Sequence, residues 1–314
     1  LVGSEMCIRD RVFMLKLVIL IIYFAVLIGI GLYCRKHATD VNGFVLGGRS
    51  VGPWLTAFAY GTSYFSAVVF VGYAGQFGWK YGIAATWAGI GNAIIGSLLA
   101  WVVLGRRTRI MSQHLDSATM PQYFGKRFGS NPLKIGASVI IFIFLIPYTA
   151  SLYNGLSRLF GMAFNIDYSV CIIIMATLTA IYVIAGGYMA TAINDFIQGI
   201  IMLFGIVAVI AAVIHSKGGF MSALQGLANV SDPAVSDTPG IFASFFGPDP
   251  FNLLCVVILT SLGTWGLPQM VQKFYAIDNE ASIQKGTVIS TIFALIVSGG
   301  CYFLGGFGRL FSDQ

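Results

Sequence analysis

Charge is what this sequence has least of. Of its 314 residues only 10% are Asp, Glu, Lys or Arg, against roughly 25% in a soluble globular chain. None stands between Arg49 and Lys80. That shortage excludes an ordinary water-soluble domain and puts most of the chain in a lipid bilayer. The formal charge of +6 does not point to a nucleic-acid partner, because the basic residues stand in short clusters between apolar runs, as topology signals do. Reactive side chains are scarce as well. The five cysteines, Cys7, Cys34, Cys171, Cys255 and Cys301, show no CxxC or Cys/His spacing, which argues against a metal knot or a disulfide framework. Four of them lie in or beside apolar runs, where a thiol packs as a small hydrophobe. The three histidines, His37, His114 and His215, fall in loops or at the ends of apolar runs. With no nucleophile–base pair, the sequence does not read as an enzyme.

What remains is 57% hydrophobic and carries 38 glycines. Eight stretches between charges are apolar over the ~20 residues that a membrane helix needs: about 15–34, 52–77, 82–104, 135–157, 168–187, 194–214, 251–271 and 286–308. None alternates like a strand of a membrane barrel. The fold class expected is therefore an all-α polytopic membrane protein. Residues 1–13 are set apart, since SEMCIRDRV at 4–12 is unlike the rest of the chain and resembles a translated sequencing adapter. Met14 then opens a single transmembrane domain, 14–314, although a short basic leader is the alternative.

Orientation follows from lysine and arginine. The loop after the first span holds Arg35, Lys36 and Arg49, loop 105–134 holds six more, and loop 272–285 holds Lys273 and Lys285. Those three loops fall on one side of an alternating path and collect eleven of the eighteen basic residues. They are expected to be cytoplasmic, with the N-terminus outside. The long segment 215–250, rich in Gly, Pro, Ser and Asp, reads as an outer loop with at most one short surface helix.

Within this apolar background, two stretches stand out. AYGTSYFSAVVF, residues 59–70, places Gly61, Thr62, Ser63, Tyr64 and Ser66 at the centre of a span. Non-helical backbone at that depth persists only when buried in protein or lining a cavity, so the stretch is either an ion- or solute-binding break or a small-residue helix interface. LTSLGTWGLPQMV, residues 259–271, repeats the theme with Gly263, Gly266 and Pro268 five spans later. Paired Gly/Pro-interrupted segments in corresponding halves point to a transporter's central site. A third feature is Asp195 in GGYMATAINDFIQG, residues 186–199. A carboxylate there is a functional residue by default, or else, with Asn194, an N-terminal cap of a helix.

Three segments carry a family resemblance. FVLGGRSVGP (44–53), MPQYFGKRFGS (120–130) and IYVIAGGYMATAINDFIQ (181–198) resemble the sodium:solute symporter family, which includes bacterial sodium/proline symporters and sodium/glucose cotransporters. The resemblance implies a leucine-transporter-like inverted-repeat fold with one extra N-terminal helix. Spans two to six would form the first repeat, and spans seven and eight would begin a second repeat that is incomplete here. It implies sodium as the co-transported ion, held by the backbone carbonyls of Thr62 and Phe65, with Asp195 serving a second ion or sodium exit; the remaining sodium ligands would lie on a ninth span. It also places a small-molecule solute against Ser63, Tyr64, Ser66, Val69, Thr264, Trp265 and Pro268. The sequence departs from the family in places. Tyr188 follows the glycine pair where Leu, Met or Phe is usual. Tyr64 stands where proline symporters carry Asp, Val69 where sugar carriers have Gln, and Ala85 where they have Glu. A lining of Val68, Val69, Thr264, Trp265 and Pro268 is too apolar for a sugar, which leaves an amino acid or small carboxylate. Expected, then, is a sodium-coupled symporter of the cell membrane working by alternating access. The alternatives are a symporter-like sensory input domain, a sugar-type symporter and, less in keeping with the uncharged spans, a channel.

Overall fold

The computed structural model describes residues 2–37, 39–66 and 68–311. Among them there is no strand, only isolated backbone bridges such as Val51–Ile277; the rest is helix and turn. Helix α1 (Val2–Cys34) begins before Met14 and continues as one helix through the segment the sequence sets apart. It packs on α9 (Tyr168–Ser216), where Gly31 lies against the backbone of Tyr182. Small residues at such a contact let two apolar helices touch without a hydrophobic driving force, which lipid does not supply.

By length and composition, five helices among the described residues are suited to crossing a membrane: Phe13–Cys34, Val68–His114, Asn131–Phe164, Tyr168–Ser216 and Glu280–Gly306. The bent pair Pro250–Gly266 and Pro268–Ala276, with 53° between its halves, makes a sixth. This is a multi-pass membrane protein. Two of the five are interrupted by glycine. Gly82, at φ 63° and ψ −145°, ends α4 (Ala74–Tyr81), and Gly187, at φ 57° and ψ −149°, breaks α9 in two. An L-residue is strained at either position. The second half of α9 therefore starts at 188, not at 194, and Asp195 lies two turns inside it. The reading of Asn194 and Asp195 as a helix cap is corrected by that geometry.

The three basic loops are knit together on one face of the bundle. Arg49 donates to the Ser117 carbonyl at 2.8 Å and to Ser112 and the Tyr275 carbonyl at 3.3 Å. Arg109, buried, donates to the carbonyls of Ile277 at 2.6 Å and Asp278 at 3.0 Å. Carbonyls that end helices need donors, and here two topology-marking arginines supply them. The opposite face is closed by segment 215–250, which carries a short α-helix, α10 (Phe220–Ala228), and a 3-10 turn at Ile241–Ala243. It is pinned by Arg309, which donates to Asp232 at 2.9 Å and to the Trp79 carbonyl at 2.6 Å, and by the Trp87 indole donating to the Phe245 carbonyl at 3.0 Å.

Helix α13 (Glu280–Gly306) runs through the middle of the bundle. It touches α4 backbone to backbone at Gly78 and Gly305, an approach that a side chain at either position would prevent. Around it the core is aromatic: Tyr60 packs edge-on to Trp101 at 5.5 Å between ring centres, and Trp101 edge-on to Phe274 at 5.1 Å.

Candidate functional site

Two broken helices meet at one cavity. In the first, α3 (Pro53–Tyr64) stays helical through Gly61, Thr62 and Ser63 and is interrupted only at Phe65, whose φ is −96° and ψ 65°. The chain resumes as a π-helix over Val68–Tyr73 before α4. Gly61 is thus a packing glycine, pressed against the Phe293 ring, and the break sits four residues later. In the second, α11 (Pro250–Leu262) passes into a 3-10 turn at Gly263–Gly266. Leu267 is extended at φ −70° and ψ 124°, and Pro268 opens α12 (Pro268–Ala276). A residue before proline is pushed out of the helical region, which fixes the second break at Leu267.

Between the breaks lies a cavity of about 330 Å³, at the small end of ligand pockets. From the first broken helix it is lined by Ser63, Tyr64, Ser66, Val68 and Val69. From the second come Thr260, Gly263 and Thr264. Asn92, Tyr302 and, from α8 (Asn131–Phe164), Tyr148 and Ser151 add further polar groups to the wall. No side chain in that lining is charged; its polar groups are hydroxyls and one amide. A larger cavity of about 450 Å³ between α1 and α9 is lined by apolar side chains and Cys171, with nothing to orient a polar solute.

The wall is held by hydrogen bonds that meet at Asn92. Its Oδ1 faces the hydroxyls of Tyr64 at 3.2 Å, Thr260 at 3.1 Å and Ser261 at 3.1 Å, while its Nδ2 donates to Ser298 at 3.3 Å. The Tyr64 hydroxyl also reaches the Thr260 carbonyl at 2.9 Å.

Of the residues the sequence marks for solute, Ser63, Tyr64, Ser66, Val69 and Thr264 line this cavity. Trp265 and Pro268 do not. The indole of Trp265 turns away and donates to the Ile95 carbonyl at 3.0 Å, and the cavity wall ends at Leu267. The Phe65 ring is buried, stacked on Tyr64 with centroids 4.4 Å apart. At the break the Gly61 carbonyl accepts from the Phe65 amide, and that of Ser66 from Val69 and Phe70. Among the described residues no amide pairs with the carbonyls of Thr62 or Phe65.

Asp195 is outside the cavity but beside the first break. Its carboxylate faces the Thr62 hydroxyl, which also donates to the Phe58 carbonyl at 2.9 Å, and lies 3.6 Å from the Lys273 ammonium on α12. Lys273 is only 6% exposed and sits 5.0 Å over the Tyr188 ring. Counted by sequence as a loop charge, it is in fact the partner of the one carboxylate within α9. Sequence reasoning also passed over Asn92, although an amide in the uncharged run 82–104 was the available signal, because polar residues inside membrane bundles act as interhelical glue.

With this geometry in hand, three comparisons agree. The model of the sodium:solute symporter family matches residues 44–311. The chain is 30% identical over 296 residues to the osmoregulated proline transporter OpuE of Bacillus subtilis (strain 168), covering 93% of this chain and 58% of that protein. It is 32% identical over 282 residues to a sodium/proline symporter of Staphylococcus aureus (strain JH9), covering 85% of this chain and 51% of the relative. Among solved structures, the outward-open, substrate-bound state of a Na+-coupled sialic acid symporter superposes with a TM-score of 0.72 at 17% identity, over 94% of this chain and 61% of that one. The chain thus shares that fold and spans between half and two thirds of the length of these proteins.

Proposed function

The chain belongs to the sodium:solute symporter family, and from that premise we propose that it is the larger part of a sodium-coupled secondary active symporter. Sodium moving down its gradient drives import of a small organic solute, an amino acid or small carboxylate, by alternating access. One observation carries this reading: two helices break at the same uncharged, hydroxyl-lined cavity. A break costs several hydrogen bonds in lipid, and the groups it frees are suited to ligands.

Sodium meets the carbonyls of Thr62 and Phe65, hard oxygen donors with no amide partner among the described residues. Asp195 serves a second cation or the exit path, since it stands beside Thr62. Solute lies against Ser63, Tyr64, Ser66, Val69 and Thr264, with Trp265 and Pro268 bracing the wall from behind. The relatives named for proline favour an amino acid over a sugar, and so does a lining without charge or dense amides. In the membrane the glycine breaks at Gly82 and Gly187 turn the long helices into separate crossings. That gives eight in all, with the Arg49–Arg109 face cytoplasmic and the N-terminus outside. Spans seven and eight then begin an inverted second repeat.

The test is uptake by the complete protein in proteoliposomes, with a panel of radiolabelled amino acids, small carboxylates and sugars and an imposed inward sodium gradient. Concentrative uptake of one amino acid or carboxylate, abolished when potassium replaces sodium, is the expected result. Uptake that ignores sodium, or that is confined to sugars, overturns the reading.

A further inference from the structure

Both broken helices hang from one segment between them, a π-helix over Asn92–Leu99. π-Helical turns are rare and cluster at functional sites, because the wider turn re-aims side chains and loosens the carbonyls of the helix. From the first broken helix, the Tyr60 hydroxyl donates to the Gly96 carbonyl at 2.9 Å, and Tyr64 reaches Asn92. From the second, Trp265 donates to the Ile95 carbonyl, and Thr260 and Ser261 reach Asn92. Asn92 itself is 1% exposed, so water does not compete for its amide.

The proton count at Asn92 matters. Three hydroxyls face one carbonyl oxygen with two lone pairs, and each hydroxyl has one proton to give. Tyr64 has a second acceptor in the Thr260 carbonyl, and Thr260 has one in the Val256 carbonyl at 2.9 Å. Ser261 also has a second partner, the Tyr64 hydroxyl. The amide therefore has two low-cost arrangements. In one it holds Tyr64 of the ion-bearing break; in the other it releases Tyr64 and keeps Ser261 of the solute-bearing break. A site with two discrete hydrogen-bond arrangements shared by two elements is what energetic coupling requires.

We propose that Asn92 is a positioning residue that couples the two ligands: it transmits the state of the Phe65 break to the Thr260–Leu267 break, so that sodium binding tightens the site for solute. It touches the break residues and acts through them. The inference rests on the transport reading above, and its test separates the two.

In proteoliposomes of the complete protein, the solute half-saturation is measured at low and at saturating sodium, and the ratio of the two is the coupling factor. Asn92→Leu, similar in size and without the amide, is expected to lower that factor by roughly five-fold or more. Tyr64→Phe and Ser261→Ala should each lower it in part. A residue that only packs would change the amount of folded protein and the maximal rate and leave the ratio alone. Alongside, detergent melting of Tyr64→Phe, Ser261→Ala and the double variant is compared with and without Asn92→Leu. The two substitutions should be non-additive when Asn92 is present and additive when it is gone. An unchanged coupling factor in Asn92→Leu overturns the inference while sodium-driven uptake by the parent upholds the transport reading. If the leucine variant does not fold, unchanged factors in both Tyr64→Phe and Ser261→Ala have the same force. If the parent shows no sodium dependence, the transport reading fails, and additive melting shifts then remove Asn92 as the shared anchor.

Discussion

The two broken helices look alike in sequence and are chemically unlike. The first breaks without a proline, at Phe65, and leaves the Thr62 and Phe65 carbonyls without an amide partner among the described residues. The second breaks at a glycine–proline run and satisfies part of its backbone, while its Trp265 and Gly266 carbonyls take no amide among the described residues. Its Thr264 carbonyl takes the Leu267 amide at 3.2 Å, and its Leu267 carbonyl takes Met270 and Val271. The Ser261 carbonyl takes the Thr264 hydroxyl, and that of Thr260 takes Tyr64. The first break stands beside the Asp195 carboxylate, a setting that suits a cation; the second, without a carboxylate in its wall, turns the Thr260 and Thr264 hydroxyls to the cavity. The same sequence sign, interruption of an apolar run, thus produces two different parts.

The largest expected contrast concerns one glycine from each broken helix. A side chain at Gly61 would enter the Phe293 ring, whereas at Gly266 nothing lies within 4 Å of an added Cβ. Gly61→Leu should therefore cost roughly 3 kcal/mol, the upper end of overpacking, and depress folded yield. Gly266→Ala should stay within about 0.5 kcal/mol. Fluorescence-detected thermal melting reads both. Equal losses would mean that the second break is packed as tightly as the first and is no hinge.

That glycine pair also marks how far the sequence could be read. The class of fold, the two interrupted spans and six of the cavity's wall residues were legible, because composition, apolar run length and Gly/Pro placement act locally. The Pro268 break fell where proline forces it, one residue upstream. Within 59–70 nothing local separates Phe65 from Gly61 as the place of the first break, because Gly61 answers to Phe293, 232 positions away in the chain, and a long-range contact leaves no local trace. Nor did residue type say that Trp265 would face the Ile95 carbonyl and not the cavity, or that Lys273 would be buried against Asp195 and not solvated. Those are register facts about neighbouring helices.

A comparable effect is expected where both broken helices meet Asp195 of α9. Asp195 is flanked by Thr62 of the first and Lys273 of the second, with the Asp195 and Lys273 side chains 21% and 8% exposed. Removing one member strands the other charge, at a cost of about 3 kcal/mol. Asp195→Asn and Lys273→Met should each lower the melting temperature, and the double variant should lose less than the sum. Asp195→Asn should also raise the sodium concentration for half-maximal uptake several-fold, by roughly 1 kcal/mol. Strict additivity would mean that the 3.6 Å contact does no energetic work, and an unmoved sodium dependence would leave Asp195 a structural residue.

The smallest contrast is the sharpest, because it lies between chain neighbours. Thr264 and Trp265 both sit in the 3-10 turn of the second break, but Thr264 lines the cavity and Trp265 stands behind it. Thr264→Val keeps the shape and removes a hydroxyl that lines the cavity and gives its proton to the Ser261 carbonyl at 2.9 Å. A lost hydrogen bond of about 1 kcal/mol should raise the solute half-saturation roughly five-fold at saturating sodium. Trp265→Phe gives up one indole hydrogen bond to Ile95 and should cost about 1 kcal/mol of stability. Its solute half-saturation should stay within about two-fold, since the ring that fills the space behind the wall is largely retained. If phenylalanine at 265 moves the half-saturation more than valine at 264 does, the solute rests on the indole, and the cavity between the breaks is not where it binds.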